Sequence, residues 1–138
     1  METIVVGVDG SEASVRALRW AIEEARLRGA TIRAVHAWSY PRVSTYHEAA
    51  HALAAPLAEE AEAVLERVVQ EAAEGEDDVV IQQVTVEGPA AAALVEASSD
   101  ASLLVIGSRG LGGFSGLLLG SVSHQAASHA SCAVVIVR

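Results

Sequence analysis

The sequence predicts an open α/β fold: one domain with a parallel five-stranded sheet in the order 3-2-1-4-5 and helices on both faces. Three observations predict it. Short, branched apolar runs such as Thr3-Ile4-Val5-Val6-Gly7-Val8 and Leu103-Leu104-Val105-Ile106 read as buried parallel strands. Between such runs lie longer stretches whose apolar residues recur at helical spacing. Glycine-bearing turns follow the first and fourth strands, at Asp9-Gly10 and Gly107. The order 3-2-1-4-5 sets those turns side by side at the switch point, where open sheets bind ligands. Crossovers between parallel strands are right-handed almost without exception, so few other arrangements remain.

The elements follow in chain order. Thr3 to Val8 is the first strand, and Asp9-Gly10-Ser11 turns it into a helix capped by Ser11. Val15, Leu18, Ile22 and Ala25 form that helix's apolar stripe, and Gly29 ends it. Thr31 to Trp38 is the second strand, and residues 39–48 read as irregular. From about Ala49 a long helix sets Leu53, Leu57, Ala61, Val64, Val68 and Ala72 on one face. Glu59, Glu60, Glu62, Glu66, Glu71 and Glu74 make its solvated face, and Gly75 is its stop. Val79 to Val86 is the third strand. Gly88-Pro89 opens the third helix, with Pro89 in its first turn and Ala93, Leu94 and Ala97 toward the core. Leu103 to Ile106 is the fourth strand. Ser121 reads as the N-cap of the last helix, with Val122, Ala126, Ala127 and Ala130 as its apolar face, and Ala133 to Val137 is the last strand.

The 138 residues, 51% of them hydrophobic, suit one globular domain with a single core. The apolar runs are too short to cross a bilayer, and no basic segment precedes an apolar one at the start, so neither a membrane span nor a signal peptide is expected. The single cysteine, Cys132, excludes an internal disulfide and fits a reducing, cytoplasmic setting. Nine arginines against eighteen acids, a net charge of −9, oppose nucleic acids and anionic membranes as partners.

The chemistry-bearing stretch is Gly107-Ser108-Arg109-Gly110, nine residues, then Gly120-Ser121. Six glycines lie between 107 and 120, between a buried strand and a fresh helix N-terminus. Free N–H groups and the helix dipole favour an anion there, above all phosphate. There is no Gly-Lys-Ser or Gly-Lys-Thr, and the chain contains no lysine, so this is not a P-loop. A phosphate here is held by backbone N–H groups, hydroxyls and Arg109, with a divalent cation to screen the acidic chain. Asp9 ends the first strand in the same crevice. It reads either as a ligand-facing carboxylate or as a turn-former before Gly10. Ala37, at the end of the second strand, lies beside it with its backbone toward a base edge.

This loop resembles the nucleotide loop of the ATP-binding class of universal stress proteins, and Gly7-Val8-Asp9-Gly10-Ser11 resembles that family's opening motif. The resemblance covers nearly the whole chain and implies one universal stress protein domain over residues 1–138. It implies a Rossmann-like sheet related to the adenine nucleotide hydrolases. It implies ATP as ligand, with Mg2+ or Mn2+, in a pocket of Val8, Asp9, Ala37, Gly107, Arg109, Gly110, Gly120, Ser121, Val122 and Ser123. It also implies a homodimer through Ala133 to Val137. One departure is Ala133, where the family usually has proline after a cysteine such as Cys132.

His47-Glu48-Ala49-Ala50-His51 matches the HExxH pattern of zinc proteases. It sits at an ill-defined helix start, and its third ligand would have to come from the solvated glutamate face, so no metal site is assigned. His36, His124 and His129 have no clear partners, and Ser115 lacks the nucleophile elbow. No catalytic residue is nominated. The expected function is an ATP-binding regulatory protein of the stress-response type with little or no turnover. The alternatives are a nucleotide-free interaction module of the same fold and a slow phosphohydrolase.

Overall fold

The structure, a computed structural model, describes residues 1–40, 47–109 and 119–138, with the backbone alone for 47–53. Five strands alternate with four helices: β1 (Thr3–Gly7), α1 (Glu12–Arg28), β2 (Thr31–Trp38), α2 (His47–Ala73), β3 (Ile81–Glu87), α3 (Ala90–Ala97), β4 (Leu103–Gly107), α4 (Ser121–His129) and β5 (Ala133–Val137). The strands form one parallel sheet in the order β3-β2-β1-β4-β5, as the sequence predicts.

Side chains alternate between two cores. On one face Ile4, Val6, Val8, Ile32, Ala34 and Val105 meet Leu18, Ala21 and Ile22 of α1 and Leu65 and Val68 of α2. On the other, Val5, Val35, Leu104 and Ile106 meet Leu94 of α3 and Ala126 of α4. Burial on both faces is why the central strands are apolar without alternation. Truncating a side chain such as Leu65, 1% exposed, to Ala would cost about 2–5 kcal/mol.

Helix ends follow their local chemistry. Ser11 caps α1, its Oγ accepting from the Ser14 N–H at 3.2 Å. Gly29 closes α1 in the left-handed conformation, φ 67°, and the Ala30 N–H bonds the Ala25 carbonyl at 3.0 Å. α2 ends through Glu74 and Gly75, with φ of 51° and 79°.

Some boundaries differ from the sequence reading. α2 begins at His47, inside the segment read as irregular. β3 begins at Ile81 rather than Val79, although the Val80 carbonyl still accepts from the Ile32 N–H at 2.9 Å. Pro89 is the N-cap of α3 and stands one residue before its first turn. The N-cap of α4 is Gly120, not Ser121. The apolar face expected for α4 holds at Ala126, which is buried, and Ala130, which packs on the same core, but Val122 is 37% exposed and Ala127 is exposed, with Ser123 buried instead. Ser123 can be buried because its hydroxyl has an internal acceptor, described below.

Candidate functional site

β1 and β4 are neighbours in register, Ile4 with Leu103 through Val6 with Val105. Beyond them the chain leaves in opposite directions: β1 leads to α1 over one core, β4 to α4 over the other. That parting opens a crevice at the carboxyl ends of the two strands.

The wall after β1 is a tight turn. Asp9 Oδ1 accepts from the Ser11 N–H at 2.9 Å and from the Ser11 hydroxyl. This is the turn-forming role that a short carboxylate plays before glycine. Gly10 has φ 88°, and a Cβ there would lie 3.1 Å from Val64 Cγ1. Arg67 Nη2 donates to the Gly10 carbonyl at 3.0 Å, so α2 holds the turn from outside.

The wall after β4 is fastened at three points. The Ser108 N–H bonds the Val137 carbonyl at 2.9 Å, extending the β4–β5 pairing. The Gly120 N–H bonds the Ser108 carbonyl at 2.7 Å, which joins the two sides of the glycine-rich segment. Ser123 Oγ donates to the Gly107 carbonyl at 2.6 Å, locking the first turn of α4 to the end of β4. Gly120, the N-cap of α4, provides no side-chain hydrogen bond among the described residues. The first N–H groups of α4, from Ser121 to Ser123, therefore carry the positive end of the helix dipole at the carboxyl end of β4, with no side-chain cap from Gly120.

The third wall is the end of β2. The Val8 N–H bonds the Val35 carbonyl at 2.8 Å, and the Gly88 N–H bonds the Trp38 carbonyl at 2.8 Å. Successive residues of a strand direct their peptide groups to opposite sides, so Ala37, like Val35, aims its N–H and C=O toward β1. β1 has ended there at Gly7, paired with Val35, while β2 pairs with β3 as far as Trp38. Ala37 thus presents a donor and an acceptor on the crevice side.

The structure brings together Val8, Asp9, Ala37, Gly107, Arg109, Gly120, Ser121, Val122 and Ser123 at the ends of β1, β2 and β4 and the start of α4. Gly110 lies outside the described residues. Val8 puts its side chain in the core, 4% exposed, and offers only backbone. Gly107 is packed against Ala13, so it admits a helix on the side its Cβ would occupy. Arg109 is exposed. Among the described residues no group of three His, Cys, Asp or Glu side chains gathers to hold a metal, and the side chains of His47 and His51 lie outside them.

Two residues were missed by sequence reasoning. His36 shows no partner in the sequence, yet its Nδ1 lies 2.7 Å from the Val8 carbonyl. Arg67 stands in the sequence within a glutamate-rich helix, yet it reaches the Gly10 turn. Each had a faint signal: His36 immediately precedes Ala37, and Arg67 is the one arginine between residues 47 and 73.

An open parallel sheet in the order β3-β2-β1-β4-β5, with α4 starting at the carboxyl end of β4, defines an open α/β domain with a topological switch point between β1 and β4. The chain belongs to the universal stress protein family, whose model matches residues 1–138. It is 38% identical over 135 residues to the universal stress protein Rv2623 of Mycobacterium tuberculosis, covering 98% of this chain and 44% of that protein. It is 36% identical to Rv2624c of the same organism, covering 100% of this chain and 48% of that protein. The chain therefore spans about half the length of the curated relatives it matches. Among solved structures it superposes on a universal stress protein in complex with cAMP, at a TM-score of 0.72 and 32% identity, over 99% of this chain and 97% of that one. The fold is also that of UspA from Lactobacillus plantarum, with a TM-score of 0.82 at 21% identity over 99% and 97% of the two chains.

Proposed function

We propose that this chain acts as one universal stress protein domain that binds an adenine nucleotide, ATP in particular, in the switch-point crevice, and holds or senses it with little or no turnover. The observations that carry the reading are two: β2 runs on past the end of its pairing with β1, which leaves the peptide edge of Ala37 open, and α4 starts at the carboxyl end of β4 from a Gly120 cap with no side chain. The first suits the edge of a base and the second suits phosphate. In this reading Asp9 and the residues from Gly107 to Arg109 lie between them, at the ends of β1 and β4. A universal stress protein 32% identical to this chain was solved with cAMP, which supports the adenine part of the reading.

Low turnover is supported by how the polar side chains are used. Asp9 Oδ1 is engaged by Ser11 in a turn, and the Ser123 hydroxyl donates its proton to Gly107, so the described geometry gives both side chains structural work. Phosphoryl transfer would have to run on positioning and charge stabilisation alone. With a net charge of −9, the chain repels a nucleotide at long range. A Mg2+ or Mn2+ ion arriving with the phosphates would supply the missing positive charge.

The reading extends to a cytoplasmic homodimer paired through β5. β5 is an edge of the sheet, its five residues are all apolar, and four of them are half-buried. An open apolar edge invites pairing across a two-fold axis. Nucleic acid and membrane are not partners in this reading, and no helix among the described residues is long and apolar enough to cross a membrane.

The test is calorimetric titration of ATP, with magnesium, into the parent protein and into Gly110→Val. The reading expects binding in the parent and none in a folded variant, because a branched side chain would occupy the phosphate path. Equal affinity in the two would remove the assignment. Replacing both His47 and His51 by Ala is expected to leave ATP affinity within a few-fold.

A further inference from the structure

We propose that His36 is a positioning residue that keeps the peptide edge of Ala37 open by occupying the Val8 carbonyl. The proposal rests on the nucleotide reading of the crevice and adds to it the device that creates its base-facing edge.

The β1–β2 ladder is regular from Thr3 with Thr31 to Gly7 with Val35. Its last rung runs from the Val8 N–H to the Val35 carbonyl. In a parallel ladder the next rung would run from the Ala37 N–H to the Val8 carbonyl. Among the described residues that rung is missing, and the pairing stops at Gly7 although β2 continues to Trp38. The Val8 carbonyl is not left bare: His36 Nδ1 lies 2.7 Å from it. A carbonyl only accepts, so Nδ1 carries the proton and donates.

The sequence explains how the ring gets there. His36 follows Ile32 and Ala34 at the period of two, so its side chain stands on the same face of the sheet as theirs, beside Val8. It is half-buried, at the border of the core where Val8 is 4% exposed. An apolar residue at 36 would fill the same space and leave the Val8 carbonyl with one natural partner, the Ala37 N–H. The ladder would then advance by a rung, and the donor facing the crevice would be consumed. A buried carbonyl must be satisfied by something, so the imidazole decides which donor is spent.

The device also accounts for the residue type. The amide nitrogen of Asn occupies nearly the place of His Nδ1 and can donate to the same carbonyl, whereas Val and Ala cannot. A structural role for the ring, as mere filling, would be met by Val better than by Asn at a strand position.

The experiment combines amide exchange and binding on the full chain. In the ligand-free parent and in His36→Asn, the Ala37 amide is expected to exchange fast relative to the Val35 amide. In His36→Val, and in His36→Ala as a second donor-free variant, the Ala37 amide is expected to become protected. ATP affinity should fall about tenfold in the donor-free variants, as for one lost hydrogen bond, and inorganic triphosphate affinity should stay unchanged. His36→Asn should bind ATP as the parent does. Equal Ala37 exchange in the parent and in both donor-free variants would overturn the proposal, as would donor-free variants that bind ATP like the parent. A parent that ignores ATP yet shows the exchange difference would overturn the nucleotide reading and leave the His36 assignment standing.

Discussion

Gly107 is pressed against Ala13. A Cβ built on Gly107 would lie 3.0 Å from the Ala13 Cβ and 3.2 Å from both its carbonyl carbon and oxygen. The end of β4 and the first turn of α1 therefore touch through backbone, which leaves no slack for a methyl group. Gly107→Ala is expected to destabilise the fold by about 1–3 kcal/mol, the cost of overpacking. Urea unfolding measures it, and a midpoint equal to the parent's would show that α1 can shift to make room.

The clasp between Ser123 and Gly107 gives a second expectation. Ser123→Ala leaves the Gly107 carbonyl without its 2.6 Å donor and should cost about 1–3 kcal/mol. Ser121→Ala, at the first helical position rather than the cap, should stay within about 0.5 kcal/mol of the parent. Comparing the two thermal midpoints checks which serine fastens α4.

Acid titration reports a surface tie on the far side of the sheet. The Arg33 guanidinium donates to Asp100 at 3.0 Å and to the Ala97 carbonyl at 2.8 Å. That hydrogen bond first, and then the charge of Arg33, hold the Asp100 carboxyl below the ordinary carboxylate range. Because the folded pKa is depressed, the tie contributes stability above the unfolded pKa and loses it as pH falls through the folded one. Arg33→Ala should return the Asp100 titration to the ordinary range, read by carboxyl-carbon NMR. No movement would show that the pair is not populated in solution.

β5 carries the assembly expectation. Sedimentation equilibrium should give a dimer, and the amides of residues 133–137 should be protected from exchange. A monomer at high micromolar concentration, or freely exchanging β5 amides, would contradict it.

The sequence made the sheet order legible because the two kinds of signal coincide: apolar runs without alternation at Ile4–Val6 and Leu103–Ile106, and glycine turns at Gly10 and Gly107. Ser11 and Gly29 were legible as caps because each has the local chemistry that ends a helix. Gly120 was not, since Ser121 beside it has the stronger capping side chain, while the bond from Ser123 to Gly107 and the burial of Ala126 turn those residues inward. Val122 reads as core from its apolar side chain, yet it is 37% exposed because α4 turns Ser123 and Ala126 inward instead. Of the candidate site, the places of Asp9, Gly107 and Gly120 at the ends of β1 and β4 and the start of α4 were legible. What the sequence hid was long-range: the hold of His36 on Val8 and of Arg67 on Gly10 joins residues 28 and 57 positions apart.

The central claim is that an adenine nucleotide occupies the switch-point crevice, and amide-resolved NMR titration with ATP tests it most directly. The account predicts saturable shifts concentrated at Asp9, Ala37, Ser108, Arg109 and Gly120 through Ser123, at the carboxyl ends of β1, β2 and β4. Shifts that fail to saturate, or that gather on another surface while these amides stay in place, would contradict it.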